Sequence, residues 1–308
     1  MTETAAQPAV PPELATSRRR IDPMGLAAIL IGTGIIAWSG VFVRFADVGP
    51  LTSAAWRLII ALPGLVLWMA LLGRRTGEAV DRPAVSWRSL FWPVIGAGLG
   101  FTLDVATFHF ALFGTSITNA TFIGNIAPIF AVIGGLVFFG ERPERRVWGA
   151  LAMSLFGGWV MAGVVAPSDL HAGDLWALAA AFGYASYLLF IKSVRQVLAG
   201  PAATLWPAIV SAIVLVIWAL ITEPVFLPHS LSGWLAVVAL GIGSHTLGQG
   251  LTSIAMGRVP VGVIAIVLLA QSPVSALLAY LVVGEEIAAL QILGGGIILA
   301  ALVIARPR

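Results

Sequence analysis

The sequence lacks cysteine and has few charged residues. No cysteine occurs among the 308 residues, which excludes a disulfide, an iron–sulfur cluster and thiol chemistry. Only 10% of the residues are charged, whereas a soluble domain carries about 25%. So few charges cannot cover the apolar surface of a chain that is 59% hydrophobic, with a mean hydropathy of +0.99. We therefore predict an integral membrane protein surrounded by the lipid bilayer.

Motifs for energy coupling and catalysis are also missing. The sequence has no Gly-Lys-Ser/Thr phosphate loop, no HExxH pair and no Cys/His cluster. We therefore expect no ATP hydrolysis, no metal and no other cofactor. An enzyme would need paired acid–base groups, but Asp104 is a lone carboxylate well inside an apolar run. The basic residues form no contiguous face for nucleic acid, which is not expected as a partner.

The long, continuous apolar runs predict membrane-spanning helices and exclude a β-barrel, whose segments are short and alternating. The chain length accommodates ten spans of about 20 residues each. Residues 1–21 are predicted to form a disordered cytoplasmic tail. The predicted spans are 24–44, 51–73, 90–113, 116–139, 147–165, 174–193, 203–222, 232–254, 259–283 and 287–305.

Basic residues mark one side of the membrane. Fifteen of the 17 Lys and Arg residues precede the first span or follow an even-numbered one. Because basic residues are retained in the cytoplasm, we expect an even number of spans and two cytoplasmic termini. Arg44 and Arg57 lie within spans or at their ends. The fifteen are Arg18, Arg19, Arg20, Arg74, Arg75, Arg82, Arg88, Arg142, Arg145, Arg146, Lys192, Arg195, Arg258, Arg306 and Arg308.

Two pairs of predicted helices repeat at one offset. Pro128 and Pro273 are 145 residues apart, and so are Glu141 and Glu286. Two helix faces of four residues each, one in the third span and one in the eighth, are also 145 residues apart. These faces are Gly96, Gly100, Asp104 and Phe108, and Gly241, His245, Gln249 and Ser253.

The offset indicates a duplicated five-helix unit. Residues 22–166 are predicted to form the first repeat and residues 172–306 the second. Because five is odd, the second unit enters the membrane from the opposite side. The predicted fold is all-α, with ten transmembrane helices arranged as two inverted five-helix repeats around a central cavity. Inverted repeats recur in secondary transporters, where the binding site lies near the midplane between the repeats.

The two repeated prolines lie near the middle of the fourth and ninth predicted spans. Each removes a backbone donor and leaves a carbonyl free, at Gly124 for Pro128 and at Leu269 for Pro273. In lipid, a free carbonyl is tolerated only where it is buried in protein or faces water. We therefore predict that Pro128 and Pro273 are hinges beside the cavity.

These residues resemble a known family, the EamA-type members of the drug/metabolite transporter superfamily. The resemblance rests on two Pro-x(10–12)-Gly-Glu helices, on Arg57 early in the second span and on the five-plus-five arrangement. The sequence is most similar to the aromatic amino-acid exporter branch of this family, which is found in bacterial inner membranes. The resemblance implies a multi-pass inner-membrane protein that exports amino acids or related metabolites through a central cavity. One departure is that Gly284 lies one residue closer to its proline than Gly140 does, so the end of the ninth helix is expected to be shifted.

Asp104 and Arg57 are the charged candidates for the cavity. A charge inside a span costs at least about 2.5–3.5 kcal/mol, so Asp104 should face a cavity, pair or be protonated. Its candidate roles are proton carrier and partner of a substrate ammonium, and the alternative is a structural hydrogen bond. Arg57 could hold a substrate carboxylate, or extend to the interface as a structural arginine.

The remaining candidates are polar or aromatic residues inside spans. The amides and the histidine could bind substrate or join helices, and the histidine could also carry a proton. The aromatic residues could line the cavity or pack ordinarily. The set comprises Trp38, Asn119, Asn125, Tyr184, Tyr187, His245, Gln249 and Gln271.

Together these features predict a secondary transporter or facilitator. We expect it to export amino acids, aromatic and other apolar ones among them, by alternating access. The alternative is a proton-coupled multidrug exporter of cationic compounds, with Asp104 as the cation site. Both a monomer and a homodimer are compatible with the sequence.

Overall fold

The computed structural model describes residues 22–72, 87–140, 144–161, 171–198, 200–259 and 261–304. Every regular element within these ranges is a helix. The predicted tail 1–21 and Glu141 lie outside the described residues. The described part of the chain is thus all-helical, as its apolar runs predict.

Seven α-helices cover the first half of the chain. They are α1 (Pro23–Ile36), α2 (Ser39–Phe45), α3 (Pro50–Leu72), α4 (Trp87–Gly114), α5 (Ile117–Gly124), α6 (Ala127–Phe139) and α7 (Arg145–Met161).

The second half contains seven further α-helices and two π-helical segments. The α-helices are α8 (Ala172–Arg195), α9 (Gly200–Thr222), α10 (Leu231–Val238), α11 (Gly250–Met256), α12 (Val261–Leu269), α13 (Gln271–Leu278) and α14 (Ala289–Ile304). The π-helical segments are Ala239–Gln249, between α10 and α11, and Ala279–Val283, after α13.

Eight segments within the described ranges are long and apolar enough to cross a membrane. Helices α7 and α14, of 17 and 16 residues, are shorter. This agrees with a multi-pass membrane fold, while the number of ten spans stays a prediction. The eight segments are Pro23–Phe45, Pro50–Leu71, Leu90–Gly114, Ile117–Phe138, Ala172–Arg195, Gly200–Thr222, Leu231–Met256 and Ile266–Val283.

The α-helical path is broken inside three of these segments. The breaks fall at 37–38, at 125–126 and at Ala270. Pro128 is the second residue of α6 and Pro273 the third residue of α13. The first-turn N–H groups of a helix have no partner within it, so proline is tolerated there. Each helix therefore breaks just before its proline and restarts with it, rather than bending around it.

The helices that contain the prolines end at glycine. Gly140 has φ of 64° and Gly284 has φ of 79°, both left-handed. Glycine adopts this conformation without the steric cost of a Cβ and commonly ends helices in this way. The helix-ending glycines are therefore 144 rather than 145 residues apart, so the second of these helices is one residue shorter after its proline.

Helices of the two halves pack on each other through glycines. Helix α4 lies along α8, where a Cβ at Gly183 would lie 2.9 Å from the Gly100 carbonyl oxygen. Helix α1 lies along the first π-helical segment and α11, where a Cβ at Gly32 would lie 2.9 Å from the Gly248 carbonyl oxygen. Helix α3 packs on α9 and α7 on α14. Small residues permit such close approach of spanning helices.

One end of the bundle, here called the acidic end, is joined by Asp47, Glu223 and Glu285. Glu223 accepts hydrogen bonds from the N–H groups of Leu51 and Thr52 at the start of α3, at 2.8 and 2.9 Å. Glu285 accepts one from the N–H of Ile117 at the start of α5, at 3.0 Å. Each carboxylate thus satisfies helix-start donors that belong to the other half of the chain.

Asp47 completes the acidic end. It follows α2 and accepts hydrogen bonds from the N–H groups of His229 and Ser230, at 3.1 and 2.7 Å, just before α10. A Cβ at Gly233 would collide with the Asp47 carboxylate, and one at Gly49 would collide with that of Glu223. These two glycines therefore give the carboxylates the room to approach the backbone.

The opposite end of the bundle, here called the basic end, contains Asp22, Arg195 and Arg258. Asp22 accepts a hydrogen bond from the N–H of Met24 and so caps α1. Its second carboxylate oxygen lies 2.8 Å from Arg258 Nη1 in an exposed ion pair. This contact also joins the two halves of the chain.

Candidate functional site

A cavity lies where the broken helices meet. Its wall is formed by residues of α1 to α5, α8, the first π-helical segment and α13, so both halves of the chain contribute. The lining residues are Ile36, Ser39, Arg57, Asp104, Phe108, Thr121, Gly124, Asn125, Tyr184, Gln249 and Gln271.

Two opposite charges face this cavity. Arg57 projects from α3 and is 4% exposed, while Asp104 projects from α4 and is half-buried. A charge held among apolar helices is costly unless an opposite charge or a polar ligand compensates it. A small ligand with one positive and one negative group would match both.

A cluster of aromatic rings lies next to Arg57. The Arg57 guanidinium carbon lies 5.9 Å from the ring centroid of Phe101. Phe101 in turn contacts Tyr187 and His245, each at 4.9 Å between ring centroids. Tyr187 stacks on the cavity residue Tyr184 at 5.7 Å. The Arg57 guanidinium thus lies over an aromatic face, which attracts a cation.

Hydrogen bonds join the three helix breaks to each other. The Asn125 side-chain amide donates to Ser272 Oγ at 2.9 Å, which links the break before α6 to the first turn of α13. Ser275 Oγ donates to the Ala37 carbonyl oxygen at 2.8 Å, at the end of α1. The backbone irregularities thus lie together at the cavity, buried in protein as lipid requires.

Several cavity residues carry polar atoms that lack a hydrogen-bond partner. Among the described residues, Arg57 Nε, Ser39 Oγ and Gln249 Oε1 are buried and make no hydrogen bond. A buried unpaired polar group costs about 1–3 kcal/mol. A polar ligand in the cavity could satisfy these atoms, which is typical of a binding site.

The structure brings six of the ten predicted site residues to the cavity. These are Arg57, Asp104, Asn125, Tyr184, Gln249 and Gln271.

The other four predicted site residues are not on the cavity wall. Tyr187 and His245 lie in the ring cluster behind Arg57. Trp38 stacks on Phe42 at 5.7 Å between ring centroids. Asn119 is in the first turn of α5, where its N–H binds Ser116 Oγ. A binding role for these four stays a prediction without support from this geometry.

Sequence reasoning did not select five further lining residues. Phe108 shares the predicted face of Asp104, and Thr121 lies one turn before Asn125, so helical spacing could have identified both. Ile36 and Ser39 flank a break that contains no proline and gives no local signal. Gly124 has no side chain from which a role could be inferred.

Comparison with known proteins identifies the family. The profile of the EamA-like transporter family matches residues 23–163 and again residues 171–306. The chain belongs to this family. It is therefore a transporter of the drug/metabolite transporter superfamily and a multi-pass membrane protein, as the predicted resemblance indicated.

Individual relatives agree with this assignment. An uncharacterized transporter of Archaeoglobus fulgidus is 26% identical over 282 residues, covering 91% of this chain and 96% of the relative. A crystal structure of a protein 23% identical to the chain has a TM-score of 0.70, covering 92% of this chain and 95% of that one. The second likeness supports the fold alone. Neither relative points to the aromatic amino-acid exporter branch.

Proposed function

We propose that this EamA-family transporter exports amino acids, aromatic and other apolar ones among them, across the bacterial inner membrane. The observation that carries the proposal is the pairing of Arg57 and Asp104 on one cavity. A zwitterionic amino acid would place its carboxylate at Arg57, which suits bidentate binding, and its ammonium at Asp104. Phe108, Ile36 and Tyr184 would contact its apolar side chain.

The proposed architecture is ten spans in two inverted five-helix repeats. Three features support it. The family profile matches two successive segments of the chain. Helix α4, which contains Asp104, packs on α8, the first span of the second half. Its counterpart, the span made of α10, the first π-helical segment and α11, packs on α1, the first span of the first half. Both proline-containing helices begin one or two residues before their proline, and both helical paths end at a left-handed glycine.

The proposed mechanism is alternating access around the fixed cavity. The basic end would face the cytoplasm, because basic residues are retained there, and both termini would be cytoplasmic. Pro128 and Pro273 would act as hinges, since the helix on each side of these breaks can move as a separate segment. No ATP would be needed, and gradients of substrate or protons would drive the cycle.

The alternative function is proton-coupled export of cationic drugs. Asp104 would then bind the cation, and the aromatic rings of Tyr184 and Phe108 would contact it. The presence of Arg57 on the same cavity favours the zwitterion, because a positive charge beside the site opposes a substrate that is only cationic.

The two functions are distinguished by counterflow in liposomes with two charge variants. For amino-acid export, both Arg57→Gln and Asp104→Asn should lower the rate about tenfold or more, since each removes a charge-assisted contact. Arg44→Gln is the matched control, because Arg44 lies outside the cavity and donates to the Thr115 carbonyl. Loss of cationic-drug flux in Asp104→Asn alone, with full flux in Arg57→Gln, would overturn the amino-acid proposal in favour of drug export. Wild-type rates in both variants would exclude the cavity as the binding site.

A further inference from the structure

Most interior glycines of this chain lie where another segment approaches too closely for a side chain. A Cβ at Gly40 would come within 2.6 Å of Ile117, and one at Gly98 would come within 2.5 Å of Val210. A Cβ at Gly241 would lie 2.6 Å from Ile60. Real Cβ atoms are not found at such distances, so these glycines are explained by helix packing.

Gly124 is different. It is the last residue of α5, and the nearest atoms to a Cβ built on it are Cδ2 and Cε2 of Phe108, at 3.7 and 3.8 Å. These are ordinary van der Waals separations. Its φ is not in the left-handed region, where the described glycines are Gly140 and Gly284. Neither packing nor backbone conformation therefore requires a glycine at this position.

What the missing side chain does provide is space in the cavity. Both Gly124 and Phe108 line it, and a Cβ on Gly124 would point at the Phe108 ring. Anything larger than a methyl group at position 124 would have to extend into the cavity or displace that ring. A Cβ on Gly124 would already be in van der Waals contact with the ring, so the space between these two residues holds about one methyl group, and a larger side chain would narrow the cavity beside them.

We propose that Gly124, opposite Phe108, is a specificity-determining residue that sets the largest substrate side chain the cavity accepts. This inference rests on the proposed function and places the apolar part of the substrate against this wall of the cavity. The charged and amide groups of Arg57, Asp104 and Gln271 would bind the polar part, while bulky aromatic or branched side chains would lie in the cavity against the wall that Gly124 and Phe108 form.

The test is a size series in the full-length protein, reconstituted in liposomes. Counterflow of alanine, leucine, phenylalanine and tryptophan is measured for wild type, Gly124→Ala and Gly124→Val. A difference of one or two methyl groups in an apolar pocket changes rates about 10–200-fold. We expect Gly124→Val to lower phenylalanine and tryptophan flux by at least about tenfold, with alanine flux within about twofold of wild type. Flux of phenylalanine and tryptophan through Gly124→Ala should lie between the values for wild type and Gly124→Val.

The matched control is Gly149→Ala, because Gly149 is an exposed helical glycine with open space around it. It should leave the size preference unchanged. A double variant tests whether Gly124 and Phe108 act together. Phe108→Ala combined with Gly124→Val should restore flux of the large substrates, since the space lost at position 124 is regained at position 108. Thermal unfolding of each variant checks that it is folded.

The outcomes separate this inference from the function on which it rests. Equal loss of all substrates in a folded Gly124→Val, or no change in size preference, would overturn the role of Gly124 while the amino-acid function stands. Failure of the double variant to regain large substrates would exclude Phe108 as the facing wall. No flux of any amino acid through the wild-type protein would overturn the proposed function, and the assignment of Gly124 with it.

Discussion

The two ends of the helix bundle are held together by different chemistry. At the acidic end, Glu223 and Glu285 accept hydrogen bonds from backbone N–H groups at the starts of α3 and α5. At the basic end, an exposed ion pair joins Asp22 to Arg258. A carboxylate at a helix start gains both hydrogen bonds and the favourable field of the helix, up to about 2 kcal/mol where it is partly buried. Exposed ion pairs are screened and weak.

Under the proposed alternating access, the two ends of the bundle would open in turn. The contacts of Asp47, Glu223 and Glu285 each join one half of the chain to the other, so opening this end would break them together. We expect opening of the acidic end to cost more than opening of the basic end. The following variants test this comparison.

The largest effect is expected for Glu223→Gln. The amide keeps one acceptor for the two N–H groups of Leu51 and Thr52 and loses the charge, at a cost of about 1–3 kcal/mol. An acidic end that opens more easily should raise the labelling of a buried residue there. The chain has no cysteine, so Val48→Cys, at a site that is 7% exposed, reports opening through its rate of reaction with a maleimide. We expect about a tenfold increase in this rate when Glu223→Gln is added.

Glu285→Gln is the matched comparison for Glu223→Gln. The second oxygen of Glu285 makes only a long contact, 3.4 Å from Thr118 Oγ1, so its increase should be smaller. An unchanged labelling rate in both variants would show that the acidic end is not held by these carboxylates.

An intermediate loss of stability is expected for Asp47→Asn, and this loss should depend on pH. Hydrogen bonds from Ser230 hold the pKa of Asp47 below its ordinary value, and the N–H of His229 acts in the same direction. A pKa lowered by folding means stabilisation that is fully present above the unfolded value of about 4 and is lost as pH falls through the folded value. The melting temperature of Asp47→Asn should therefore be below that of wild type at pH 7, with the difference vanishing near pH 3.

Glu223 and His229 line the same cavity at the acidic end, so the pH series is repeated in Glu223→Gln. A difference that stays constant with pH would exclude Asp47 as its source.

The smallest effect is expected for Asp22→Asn at the basic end. Asparagine caps helices as well as aspartate does, so the bond from Met24 N–H is kept and only the ion pair with Arg258 is lost. The Arg258 hydrogen bond lowers the pKa of Asp22, but the pair is exposed. We expect a slightly lower melting temperature at low salt and no difference at about 1 M salt, where charges are screened within about 3 Å. If Asp22→Asn lowered the melting temperature as much as Glu223→Gln does in the same measurement, the two ends would be held equally.

Particular residues show how far sequence reasoning reached. The lack of charge predicted a membrane protein, and helical spacing placed Asp104 on a face shared with Phe108, both of which line the cavity. Reasoning from the prolines located two of the three breaks. Each break falls directly after the residue whose carbonyl the proline leaves free, Gly124 or Leu269, and the proline lies in the first turn of the next helix. The break after α1 contains no proline and was not predicted.

Two predicted site residues lie off the cavity wall, and their binding role stays a prediction. His245 and Tyr187 have the polarity of site residues, yet they pack against Phe101 behind Arg57. Their neighbours come from other helices, and no local pattern shows which side of a buried helix faces a cavity. For the same reason the acidic residues of the loops gave no hint of a partner. Glu223 and Leu51 are 172 residues apart, and Asp47 and Ser230 are 183 residues apart.

The sequence by itself determined that the chain is helical and membrane-embedded, and its charge distribution and 145-residue offset predict its orientation and duplication. Hydropathy, charge and helical period are local properties, so they can be read from the residues alone. Only the tertiary structure decided that Arg57 and Asp104 share a cavity, that the acidic residues cap helices of the other half, and that Gly124 leaves space rather than allows packing. Each of these depends on which helices are neighbours, and in a bundle of similarly apolar helices that choice is made by close packing between segments far apart in the chain.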